Sequence, residues 1–300
     1  MTGTGGNKGG DGTGVLLAVV AALGFSLKAI FVKLGLAEGA GPVTLLALRM
    51  AFSLPAFLWI GLRESRGAPA LAPRDWVILS LLGLLGYYGA SILDFLGLQY
   101  ISAGLERLIL FTYPTFTLLL GALFYGQRIG RREVAAVALC YAGIAAAFAH
   151  DLDVGAERGA VWLGGGLVLA SSLSYALYLS SSARAIHRLG AARFTALAML
   201  VSTSTTLLHF AVAEPLAALV QPWPVYAYGL AMALLCTVIP VFAQSAAIRR
   251  IGPGRAVLIG TVGPLVTIAL GWWVLGEAMS TWQLAGAALV VAGVLLVGRR

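Results

Sequence analysis

The chain has 300 residues, of which 60% are apolar and 11% charged, with a formal net charge of +8. A soluble domain carries roughly 25% charged residues, so this composition excludes one and calls for a protein folded in a lipid bilayer. The positive balance does not point to nucleic acid, because Lys and Arg stand singly or in twos and threes in short connections rather than in one patch.

Residues 1–14, MTGTGGNKGGDGTG, are Gly-rich and too poor in apolar surface to fold, and are expected to be a disordered tail. Lys8 before an apolar run imitates a secretory leader, but the run outlasts the usual length and offers no clear cleavage site, so it is expected to be kept as a first span. The glycines are not a phosphate loop, since no GK[ST] follows them. Ten apolar runs then follow, at 15–36, 43–62, 76–98, 104–125, 132–149, 160–182, 193–212, 224–247, 254–275 and 281–298. Each is long enough to cross a hydrocarbon core of ~30 Å as a helix. None alternates with the period of two of a membrane barrel strand. The expected fold is an all-α polytopic membrane protein of ten transmembrane helices. Cys140 and Cys236 fall inside the fifth and eighth spans and read as free buried thiols, not as a metal pair.

With ten spans both termini share one side, and Lys and Arg in short loops mark the cytoplasmic one. Placing the termini inside puts Lys8, Arg63, Arg66, Arg74, Arg128, Arg131, Arg132, Arg184, Arg188, Arg193, Arg249, Arg250, Arg255, Arg299 and Arg300 in inner segments, 15 of the 20 positive residues. Lys33 and Arg158 remain outside, with Arg107 at the outer mouth of the fourth span.

A shift of 150 residues lays YPTFTLLLGALFYGQRIGRRE (113–133) on GPLVTIALGWWVLGEAMSTWQ (263–283), with 14 identities over residues 101–145. The register holds through Pro114 and Pro264, Gly121 and Gly271, and Gly126 and Gly276. The halves, 15–149 and 160–298, each hold five spans. That odd number places equivalent loops on opposite sides, which is why GQRIGRR keeps its three Arg and GEAMSTW has none. Two inverted five-helix repeats are the arrangement that lets a secondary transporter present one central site to alternate sides.

The segment FLGLQYISAGLERLILFTYPTFTLLLGALFYGQRIGRREVAAVALCYAGI resembles the EamA pattern of the drug/metabolite transporter superfamily, and AQSAAIRRIGPGRAVLIGTVGPLVTIALGWWVLGEAMSTWQLAGAALVVAGVLL resembles it again. The small-residue entry to the fourth helix, its central Pro, the Gly126-Gln127 and Gly276-Glu277 endings and the Ala142-Gly143 and Ala292-Gly293 pairs carry the likeness. Arg49 matches an Arg the family often has in its second helix. The resemblance implies a transporter without ATP hydrolysis or a cofactor. Members move amino acids, nucleotide sugars, triose phosphates, drugs and other metabolites, and the bacterial amino-acid exporters of the YddG type are the nearest comparison. Gln127 departs from the acidic residue usual at its position.

A charge inside a span costs about 2.5 to 3.5 kcal/mol on insertion scales, so Lys28, Arg49 and Asp94 each need a reason. By rise per residue, Lys28 and Arg49 lie about 5 Å to the outer side of the midplane and Asp94 about 10 Å, close enough to form one cluster. Lys28 would receive a substrate carboxylate, and Asp94 would pair with it or with a substrate ammonium. A purely structural ion pair is the alternative, and Arg49 could serve only to fix the second helix. Gln244, the repeat mate of Asp94, is a candidate contact in the inner half. Tyr87, Ser91 and Asp94 share one helix face, as do Ser171, Tyr175, Tyr178 and Ser182, which suits a cavity with aromatic walls or helix packing. Pro114 and Pro264 are candidate hinges inside their helices, with Tyr113 beside the first as a gate. His209 reads as a packing residue. The Ala stripes at 135, 138, 142 and 285, 288, 292 read as scaffold.

A secondary transporter therefore leads, in the cell (inner) membrane, exporting amino acids, aromatic and neutral ones included, or similar small amphipathic metabolites. The expected partners are the substrate and the lipid bilayer, with no nucleic acid, in a monomer or weak dimer. A phosphorylated substrate would want more interior cations than Lys28 and Arg49, which ranks sugar phosphates and nucleotide sugars, like drugs, as alternatives. An intramembrane enzyme is disfavoured: HExxH, GxSxG and a clustered acidic metal site are all missing from the sequence.

Overall fold

The computed structural model describes residues 8–126, 130–154 and 157–298. Helices follow one another with short connections: α1 (Lys8–Ala37), α2 (Pro42–Ser65), α3 (Pro73–Gly97), α4 (Ala103–Phe124), α5 (Arg131–Val154), α6 (Arg158–Leu189), α7 (Ala191–Ala213), α8 (Trp223–Gly252), α9 (Leu258–Leu275) and α10 (Thr281–Gly298). Among the described residues nine are long and apolar enough to cross a membrane, and Thr281–Leu296 is a tenth, shorter apolar helix. Large side chains such as Trp59, Leu123, Phe124, Trp162, Val212 and Trp273 stay exposed, as expected where hydrocarbon rather than water is the solvent.

Residues 8–14 correct the expected tail, for the first helix begins at Lys8. The reason is contact: a Cβ on Gly14 would come within 2.5 Å of Ile251, so the glycine lets α1 run closely along α8. Residues 1–7 lie outside the described residues.

Interruptions recur at the repeat distance. A π-helical stretch occupies Leu84–Gly89 in α3 and another Leu234–Val238 in α8. Turns at Phe111–Thr112 and Thr261–Val262 split α4 and α9, whose second segments, Tyr113–Tyr125 and Gly263–Leu275, both end on a left-handed glycine, Gly126 (φ 63°) and Gly276 (φ 66°). Pro114 and Pro264 consequently do not sit within continuous helices. Each stands in the first turn of a new segment, where a missing N–H removes no helical hydrogen bond. The break is real, but it is made by the preceding turn.

Packing follows the duplication. The first helix lies against α8 and α9, α2 against α7, α3 and α4 against α6, and α5 against α10. The α5–α10 pair is as close as backbones allow: a Cβ on Gly143 would meet the Gly286 carbonyl oxygen at 2.4 Å, and one on Gly286 would meet that of Gly143 at 2.4 Å. Cys140 donates weakly from there to the Val290 carbonyl (3.7 Å). Among the described residues this pair buries no ionic cluster between its helices, so the small-residue stripes serve as scaffold.

Candidate functional site

The charges expected inside the bundle meet. Lys28 on α1 donates to Asp94 Oδ2 on α3 at 2.5 Å, and its Nζ lies 3.3 Å from Glu106 Oε1 on α4. The carboxylates are fully enclosed, Asp94 at 1% and Glu106 at 0% exposure. Arg107 Nε lies 3.9 Å from Glu106 Oε2 and donates to Thr267 Oγ1 on α9 (3.2 Å), while its Nη2 donates to the Phe25 carbonyl. Thr267 in turn donates to the Ser26 carbonyl, and Ser26 to that of Gly263. Threads of polar contact thus join α1, α4 and α9 across the repeat boundary.

Arg49 anchors a second thread. Its Nε donates to Thr237 Oγ1 (2.9 Å) in the π-helical stretch of α8, Nη1 reaches Ser91 Oγ at 3.4 Å, and the guanidinium lies 5.6 Å from the Phe95 ring centroid. The widened turn of the π-helix is what presents Thr237: its hydroxyl donates to the Met232 carbonyl five residues back, and such bulges gather at functional sites.

Next to the cluster stand the aromatic residues. Tyr87, in the equivalent π-helical stretch of α3, shares a 2.9 Å hydrogen bond with Tyr178 on α6. Ring centroids are 5.1 Å apart for Tyr87–Tyr178, 5.8 Å for Tyr178–Tyr175, 5.3 Å for Tyr175–Tyr113 and 6.2 Å for Tyr113–Phe111, within the range of favourable aromatic pairs. Three helices therefore contribute to one aromatic ladder. By the repeat register Tyr178 is the mate of Lys28 and Thr237 the mate of Tyr87, so Tyr178 holds in the second half the place that Lys28 holds in the first.

Other expected residues fall elsewhere. Ser171 donates to the Ala90 carbonyl (2.6 Å) and Ser182 to that of Leu179 (3.3 Å), so the first is a helix-to-helix tie and the second a bond within α6. Gln244 is half-buried on α8 and makes no hydrogen bond among the described residues. His209 meets the Tyr88 hydroxyl at 3.0 Å and packs edge-on against its ring. Gln127 lies outside the described residues.

Two members of the cluster were not expected. Arg107 is 5% exposed rather than standing at an outer mouth, and Glu106 beside it was not anticipated at all. The available signal was topological: Arg107 was a positive residue on the side that should have few, and the repeat mates of Glu106 and Arg107, at 256 and 257, are Ala and Val.

At the end of the bundle that carries the α1–α2 turn, polar groups converge on the start of α4. Both Glu277 oxygens accept from the Ala103 N–H (3.0 and 3.1 Å). Asp151 accepts from the Ser102 N–H (2.9 Å) and hydroxyl (3.0 Å) and from Gln283 (3.2 Å). Beside them lies a cavity of about 650 Å³ bordered by Lys33, Leu98, Gln99 and Glu277. Burial raises the Glu277 carboxyl above the ordinary Glu range, against the opposing pull of the Ala103 and Gly104 N–H groups and of Lys33.

Two repeated halves, helices long enough to span a bilayer, and a buried ionic cluster in the first half that reaches Thr267 of the second define a polytopic membrane protein of the transporter class. The EamA-like transporter family matches residues 12–149 and again 162–299, so the chain belongs to that family. It is 28% identical over 288 residues to the uncharacterized transporter YcbK of Bacillus subtilis (strain 168), covering 91% of this chain and 88% of that one. Against the uncharacterized transporter sll1319 of Synechocystis it is 24% identical over 309 residues, with 95% and 92% covered. It is 25% identical over 247 residues to a probable terminal-alkyne amino-acid exporter of Streptantibioticus cattleyicolor, with 80% and 77% covered. A solved crystal structure shares the fold at a TM-score of 0.63 and 19% identity, over 95% of this chain and 96% of the other.

Proposed function

We propose that the protein is a secondary transporter that exports amino acids or similarly small zwitterionic metabolites across the cell membrane, with both termini cytoplasmic. The observation that carries the reading is Lys28 held between Asp94 and Glu106 beside the ladder of Tyr87, Tyr113, Tyr175 and Tyr178. A zwitterion offers a carboxylate to the lysine and an ammonium to the carboxylates, so it exchanges one set of ion pairs for another without stranding a charge. Aromatic faces then receive an apolar or aromatic side chain.

Charge balance disfavours a multiply anionic substrate. Among the described residues Lys28, Arg49 and Arg107 are three interior cations against two carboxylates, an excess of only one. Both guanidinium groups already spend Nε and one terminal nitrogen on Thr237 and Ser91 or on Thr267 and Phe25, so neither has its Nε free to grip a phosphate side-on. The likeness to an amino-acid exporter points the same way. We read Lys28, Asp94 and Glu106 as the binding group and Pro114 and Pro264, after their paired turns, as the bending points of α4 and α9.

The test is flux into proteoliposomes of the purified protein, with a panel of neutral, aromatic and charged amino acids, sugar phosphates and cationic drugs, with and without a pH gradient. Saturable movement of amino acids is expected. Movement of a phosphate ester or a drug, with no amino-acid flux, overturns the substrate reading.

A further inference from the structure

The inverted repeat does not repeat the groups in contact at the start of α4. Sliding by 150 residues turns Ser102 into Gly252, which has no hydroxyl, Ala103 into Pro253, which has no N–H, Glu277 into Gln127, and Lys33 into Ala183. Glu133, the mate of Gln283, accepts from the Gly130 N–H at the start of its own helix (3.0 Å). The Ser102 hydroxyl and the Ala103 N–H, which tie α4 to α5 and α9 at one end, are thus missing from the start of α9 at the other.

We propose that Glu277, with Asp151 and Gln283, is a clasp that closes the outer end of the transport path. The Glu277 carboxylate reaches across from the end of α9 to the first N–H of α4, the helix that carries Glu106 and Arg107 one turn further on. Opening the outer end therefore requires the clasp to let go of the helix that holds the substrate site. A contact made in one conformation alone biases the equilibrium by its own free energy, so the empty transporter rests closed outside. Sidedness and the transport cycle are taken from the function proposed above, but the clasp itself is read without reference to any substrate.

The floor of the outer cavity supplies the reporter, because Leu98 borders it and is 0% exposed. With Cys140→Ala and Cys236→Ala as background, Leu98→Cys in the intact membrane should react slowly with an impermeant maleimide. Glu277→Ala should raise that rate on the order of tenfold, the scale of one charge-assisted hydrogen bond. Glu277→Gln keeps an oxygen acceptor but loses the charge, and should give a smaller rise. The mirror variant Gln127→Ala should leave the rate unchanged. Equal rates for the parent and Glu277→Ala, with both variants eluting as folded protein, overturn the clasp; if Glu277→Ala fails to fold, an unchanged rate in Glu277→Gln does so. An equal rise in Gln127→Ala would show that the effect does not belong to the outer contact, and overturns the clasp as well. Failed amino-acid flux would refute the substrate and leave these rates untouched.

Discussion

Removing the Lys28 ammonium should separate binding from structure. Lys28 is within 2.5 Å of Asp94 and 3.3 Å of Glu106, and the two carboxylates are buried at 1% and 0% exposure. Lys28→Met takes away the ammonium and leaves two acids with Arg107 as their neighbour, at 3.9 Å from one of them. Breaking a buried pair from one side costs about 3 to 5 kcal/mol, and the Lys28 side chain is slightly open at 16% exposure, so we expect about 3 kcal/mol, toward the lower end of that range. Lys28→Met combined with Asp94→Asn removes both charges of the short pair and should recover most of that loss. Thermal unfolding in detergent reads the stability, and proteoliposome flux reads function. The single variant should be destabilised and inactive, the double variant stable and still inactive. A single variant with parental stability and flux refutes both the ion-pair energetics and the role of Lys28.

Arg49→Lys should lower stability by about 1 to 3 kcal/mol, because a single ammonium cannot hold Thr237, Ser91 and the Phe95 face together; unchanged melting would show those contacts to be idle. A cysteine at Arg131 should resist impermeant reagents in intact cells and one at Thr281 should label, the reverse pattern sinking the orientation.

The fold was legible because hydrocarbon imposes a single requirement on every span, and because a gap-free register survives across half the chain. Lys28 and Asp94 were legible for the same reason, a charge in mid-span being costly unless partnered. Glu106 was not. It lies in the first turn of α4, close to the polar cap Ser102, so its neighbours in sequence suggested water while the folded chain surrounds it with protein. The π-helical stretches at Leu84–Gly89 and Leu234–Val238 were invisible too, since LLGYYG and LLCTV carry no local signal for a widened turn. Only the register, which pairs Tyr87 with Thr237, shows afterwards that both halves use the same irregularity.

That pairing explains how two copies of one unit make an unsymmetrical machine. The backbone devices are shared: π-helical stretch in α3 and α8, turn and proline in α4 and α9, left-handed glycine at the ends. The side chains placed on them are not. Lys28, Asp94, Glu106 and Arg107 stand opposite Tyr178, Gln244, Ala256 and Val257, and the contacts at Ser102 and Ala103 stand opposite Gly252 and Pro253. Bending needs equivalent geometry in both halves, because each end must open in turn. The zwitterion binding and the outer closure proposed above need the opposite, a charge on one side of the path and a contact at one end. Retaining the backbone pattern while diverging at the polar positions satisfies both demands, and it predicts that restoring symmetry at Pro253 and Gln127, by Pro253→Ala with Gln127→Glu, would give the inner end a competing closure and slow labelling from the cytoplasmic side.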